Sequence, residues 1–71
     1  MTITINGKET VLPENAGRTI DSLLEELDVP QRLYVTVELN GEVLDRDAHG
    51  ATPVTAGDVV EFLYFMGGGA P

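Results

Sequence analysis

Polar and apolar residues alternate along Thr2-Ile3-Thr4-Ile5, the period of two that marks a strand with one buried face. Asn6-Gly7 follows, the pair best suited to the positive φ angles of a tight hairpin turn, and Glu9 to Leu12 reads as the returning strand. Pro13, Asn15 and Gly17 break the pattern and mark a loop. The period then changes. Ile20, Leu23, Leu24 and Leu27 fall at i, i+3, i+4 and i+7, one apolar stripe of a helix, with Asp21, Glu25, Glu26 and Asp28 off the stripe. Thr19 is placed to cap the helix start, Asp21 sits where the helix dipole favours negative charge, and Pro30 is expected to stop the helix. The leucines should pack on a sheet.

Tyr34-Val35-Thr36-Val37-Glu38-Leu39 predicts a strand rich in β-branched residues. Asn40-Gly41 is a second hairpin signal, and Glu42-Val43-Leu44 is its short partner strand. Asp45 to Ala56 reads as irregular and polar, with Pro53 inside it. Gly57-Asp58 turns into a last strand, Val59 to Phe65, whose apolar residues on both faces predict a central, covered strand. The order is ββαββ with room for one further short strand. A hairpin, a crossover helix and more strands make an α+β fold: one mixed sheet of four to five strands with one main helix on one face. That is the β-grasp (ubiquitin-like) arrangement. Residues 1–66 form the domain and residues 67–71 a flexible, glycine-rich tail.

Seventy-one residues allow one domain. No cysteine is present, which excludes disulfides, thiolate metal sites and cysteine nucleophiles. Neither a signal peptide nor an apolar run long enough for a membrane span is visible, so the simplest location is the cytoplasm. The net charge of −8, with only Lys8, Arg18, Arg32 and Arg46 against twelve carboxylates, repels phosphate backbones and argues against nucleic acid as a partner. It favours a partner with a basic surface, or serves solubility alone.

Candidate catalytic sets are thin. His49, the one histidine, lies in the acidic irregular stretch and reads as a solvated loop residue. Ser22 has no nearby base. Asp45 and Asp47 supply only fragments of a hard-cation cage, so neither a metal nor any other cofactor is expected. None of this composes an enzyme.

The C-terminus differs. The last strand runs through Phe62-Leu63-Tyr64-Phe65-Met66 into Gly67-Gly68-Gly69-Ala70-Pro71. Such a tail is costly to order but thin enough to thread a narrow channel, reaching on the order of 10 Å past the domain in a few extended residues. A frayed terminus would look the same.

The stretch from Tyr34 to Leu44, then Asp45-Arg46, then Gly57 to Phe62 and the glycine tail, resembles the ThiS family of sulfur carriers in thiamine biosynthesis. The tail is also similar to that of the MoaD carriers of molybdopterin synthesis and of ubiquitin-like proteins. This resemblance implies that Gly68 and Gly69 are the family's terminal pair, with Gly67 ahead of it. Gly69 would be adenylated by an E1-like enzyme of the ThiF or MoeB kind, which spends the ATP, and converted to a thiocarboxylate with sulfur from a cysteine desulfurase or rhodanese-type donor. The sulfur would pass to a ThiG-like thiazole synthase. Gly67, Gly68 and Gly69 would bind in the partners' channels, and Phe62, Tyr64, Phe65 and Met66 would dock on them. Phe62, Tyr64 and Met66 should share one face of the strand, with Leu63 and Phe65 on the other.

Family members commonly end at the second glycine. Here Ala70-Pro71 follow, so Gly69 lies in a peptide bond and a peptidase is expected to remove the two residues first. Other readings stay open: a carrier for molybdopterin, cysteine or another product, a protein modifier attached through Gly69, or an interaction domain with an idle tail.

Overall fold

The computed structural model describes residues 1–64. Five strands and one helix follow in the order β1 (Thr2–Ile5), β2 (Lys8–Val11), α1 (Ile20–Glu26), β3 (Thr36–Leu39), β4 (Glu42–Val43) and β5 (Val59–Leu63), with a 3-10 turn at Arg46–Ala48. They form one sheet ordered β2-β1-β5-β3-β4. The last strand lies in its centre, parallel to β1 and antiparallel to β3. This is the mixed five-stranded sheet with one main helix that the element order predicts.

Both Asn-Gly pairs make their hairpins. Asn6 and Asn40 hold φ of 49° and 52°, with Gly7 and Gly41 at 83° and 88°. The asparagine side chains then reach the central strand. Asn6 Oδ1 accepts from the Phe62 N–H at 2.8 Å, and Asn40 Oδ1 accepts from the Val59 N–H at 2.9 Å.

One face of the sheet carries the core. Ile3, Val37 and Val60 meet Ile20, Leu23 and Leu24 of α1, joined by Leu12, Val35 and Val54, all buried. The helix stripe read from the sequence therefore packs as expected. Its start is a capping box: Thr19 Oγ1 accepts from the Ser22 N–H, and Ser22 Oγ accepts from the Thr19 N–H.

Its end differs from expectation. Pro30 does not stop the helix. Asp28 adopts φ 53°, its N–H donates to the Glu25 carbonyl and the Val29 N–H to the Leu24 carbonyl, while Val29 packs on the core. That is a Schellman ending with aspartate in the place usually held by glycine. It closes the helix before the proline is reached.

The stretch from Asp45 to Ala56 is irregular, as expected, but not peripheral. It crosses the start of α1, where the free N–H groups of a helix need acceptors. The Ile20 N–H donates to the Thr52 carbonyl at 3.0 Å and the Asp21 N–H to the His49 carbonyl at 3.1 Å. Val54 enters the core from the same stretch. Among the described residues no helix is long and apolar enough to cross a membrane.

Candidate functional site

β5 ends at Leu63, a few residues before Gly67 in the sequence. Register assigns its faces. Val60 lies beside Ile5 and Leu39, and Phe62 beside Val37, all on the core side. Glu61 and Leu63 lie on the other side, opposite Glu38 and Thr36. That outer face is not covered among the described residues, so the strand is central but covered on one side only. Val11, Val43 and Val59 are exposed, and all share that outer face by register.

Phe62 accordingly packs against the core, half-buried. It supports the strand from the core side. Tyr64, two residues on and of the same parity, is exposed, and its hydroxyl donates to the Pro30 carbonyl at 2.8 Å. Phe65, Met66, Gly67, Gly68 and Gly69 lie outside the described residues.

Beside the end of β5 stands the segment between α1 and β3. The predicted strand at Tyr34 begins only at Thr36, because residues 30–34 turn instead. Gln31 holds φ 53°, and the Tyr34 N–H donates to the Gln31 carbonyl at 2.8 Å. Arg46 closes the loop from outside: Nη1 donates to the Arg32 carbonyl at 3.0 Å and Nη2 to the Val35 carbonyl at 3.2 Å. Val35 is buried while Leu33 and Tyr34 are exposed.

His49 is not the solvated residue expected from its acidic neighbours. It is 3% exposed, because its carbonyl serves the helix N-terminus and draws the ring under the crossover. Its Nε2 is buried without a hydrogen-bond partner among the described residues. The groove beside it is lined by Asp21, Ser22, Arg32 and Arg46, among others. Ser22 is occupied by the capping box, so the groove holds no activated nucleophile. Among the described residues no three potential metal ligands cluster.

The sequence model of the ThiS family matches residues 2–69. The chain belongs to the ThiS family. The crystal structure of a thiamine biosynthesis protein (ThiS) from Geobacter metallireducens is 55% identical, covering 97% of this chain and 100% of that one, with a TM-score of 0.90. The NMR solution structure of a thiamine biosynthesis protein from Geobacter metallireducens is 54% identical, covering 100% of this chain and 91% of that one, with a TM-score of 0.79. A thiazole synthase of Paramagnetospirillum magneticum is 37% identical over 70 residues, which is 99% of this chain. The chain spans only 21% of that relative's length.

For a ThiS-family chain the sheet serves to carry its last strand in the middle, held on both edges and by both turn asparagines. The sequence reading missed the two arginines that shape the surroundings. Arg18 is buried under the helix in contact with Glu26, and Arg46 clamps the loop at 32–35. No local pattern announces either, since Arg18 reaches Glu26, eight positions on, and Arg46 reaches Val35, eleven positions back.

Proposed function

We propose that this chain is a sulfur carrier for thiazole formation in thiamine biosynthesis, with Gly69 as the atom-bearing terminus. The observation that carries this reading is that the ThiS-family match runs to Gly69 and leaves out Ala70 and Pro71. The solved relatives described as thiamine biosynthesis proteins support the pathway. The thiazole synthase relative supports the recipient, since a stretch similar to this chain lies within a much longer chain of that name.

The chemistry explains the form of the molecule. Hydrolysis of the Gly69–Ala70 bond by a peptidase frees a carboxylate, a poor electrophile. A ThiF- or MoeB-type enzyme joins it to the AMP part of ATP, releasing pyrophosphate. The terminal sulfur of a persulfide, supplied by a cysteine desulfurase or rhodanese-type donor, attacks the acyl carbon and displaces AMP. A thiol then reduces the resulting acyl disulfide, leaving the thiocarboxylate and a new disulfide on the partners. The carrier holds no catalytic group and no cofactor in this scheme. Gly67, Gly68 and Gly69 present the acyl carbon without side chains to obstruct a channel. Tyr64, Phe65 and Met66 dock at the channel mouth. The cytoplasm, where ATP is available, is the place for the reaction.

Intact mass of the protein purified from its own cells in thiol-free buffer tests this. The expected species ends at Gly69 with sulfur in place of one carboxylate oxygen. A chain that keeps Ala70-Pro71 and carries no sulfur, even under thiamine starvation, would overturn the reading.

A further inference from the structure

The loop between α1 and β3 is built with unusual expense for a surface connection. Two non-glycine residues, Asp28 and Gln31, take left-handed backbone angles. The Arg46 guanidinium holds two of its carbonyls, and the Tyr64 hydroxyl holds a third. What this frame displays is apolar. Leu33 and Tyr34 are 74% and 72% exposed, and Tyr64 stands beside them at 47%. A loop held this firmly around exposed apolar side chains has the character of a contact surface rather than of a fraying connection.

Its position and charge identify what it faces. Thr36, just after the loop, pairs with Leu63 at the end of β5, so the display stands where the chain departs for Gly67-Gly68-Gly69. Arg32 and Arg46 flank it, and neither forms an ion pair among the described residues. Carboxylates outnumber Lys and Arg twelve to four in this chain, so two guanidinium groups without carboxylate partners at one place are complementary to an acidic rim. The molecule is otherwise negative.

We propose that Leu33, Tyr34 and Tyr64, flanked by Arg32 and Arg46, form a docking surface for a thiazole synthase, which meets them with an apolar pocket edged by carboxylates while receiving the tail. This rests on the sulfur-carrier reading. The synthase is the occupant because, of the partners in that reading, it is the one whose name belongs to a longer chain containing a stretch similar to this one. Aromatic and arginine side chains beside the tail supply the binding energy that a bare glycine segment lacks.

The test compares the chain ending at Gly69, the form that the sulfur-carrier reading requires for loading, with Leu33→Ser/Tyr34→Ser and Arg32→Glu variants ending at the same residue. Each is titrated calorimetrically with the thiazole synthase of the same organism, loaded with sulfur by the activating enzyme, and followed by intact mass. The double variant should unfold at the wild-type temperature, take up sulfur to the wild-type extent, and bind the synthase about tenfold or more weakly. Arg32→Glu should also bind more weakly, with less dependence on salt. Unchanged synthase binding by the double variant overturns the proposal. So does lost sulfur loading with synthase binding kept, which would assign the surface to the activating enzyme. If the unaltered chain neither takes up sulfur nor binds the synthase, the carrier reading itself falls; if it does both and the variants do too, only the docking surface falls.

Discussion

Arg18 and Glu26 meet in a two-point contact, Nε donating to Oε1 at 2.8 Å and Nη2 to Oε2 at 2.9 Å. The same guanidinium donates to the Pro13 carbonyl at 2.9 Å and lies 3.1 Å from the Met1 sulfur. It thereby ties the loop before α1 to the last turn of α1. The hydrogen bond to Glu26 raises Arg18 above the ordinary arginine value, against the opposing effect of burial. The same bond holds the Glu26 carboxyl below its ordinary 4.5.

This pair predicts a pH dependence of definite sign. A carboxyl whose pKa is lower in the folded state stabilises fully above its unfolded value, and the contribution is lost as pH falls through the folded value. Urea unfolding of the protein and of Glu26→Gln should differ most at neutral pH, and the gap should close as pH falls below the ordinary carboxyl range and through the lowered value of Glu26. A gap that stays constant into acid would show that the contact adds nothing through charge.

His49 offers a substitution that should do no harm. Among the described residues its Nε2 is buried without a partner, and an unsatisfied buried polar atom costs about 1–3 kcal/mol. His49→Leu is close in volume and removes that atom, so the unfolding free energy should stay equal or rise. A clear loss would mean that the imidazole has a partner after all. The backbone role of the residue, accepting from the Asp21 N–H, survives either way.

Asp28 ends the helix at φ 53°, where a residue with a Cβ is strained. Asp28→Gly should therefore stabilise the fold by up to about 1 kcal/mol, the relief of strain exceeding the added freedom of the unfolded chain. Asp28→Ala keeps the strain without the local hydrogen-bonding options of aspartate and should destabilise. Thermal unfolding of the two variants separates them, and the same sign for both would count against the Schellman ending.

Asn40 does two jobs that substitution can divide. Its backbone takes φ 52°, and its side chain accepts from the Val59 N–H and donates to Asp58 Oδ1 at 3.1 Å. Asn40→Gly keeps the first job and loses the second, at about 1 kcal/mol. Asn40→Ala loses both, at about 2–3 kcal/mol. Equal losses would mean that the turn geometry contributes nothing.

What the sequence determined by itself is what short-range chemistry dictates. The stripe Ile20, Leu23, Leu24, Leu27 cannot bury itself except as a helix, and Asn6-Gly7 and Asn40-Gly41 carry the positive φ angles that hairpins need. Their order leaves few ways to close a sheet, and the β-grasp is one of them. The tertiary structure decided the matters that depend on distant partners. His49 and Val54 are buried in a stretch that reads as polar, because the unpaired N–H groups at the start of α1 draw that stretch inward. Tyr34 reads as strand and is loop, because the chain turns at Gln31 and Arg46 holds the carbonyls of Arg32 and Val35. Phe62 and Leu63 both read as apolar strand residues, and Phe62 is the one that packs against the core, because the position of α1 chooses the face of the strand that is covered. A period of two says that faces differ; only the packing says which one is inside.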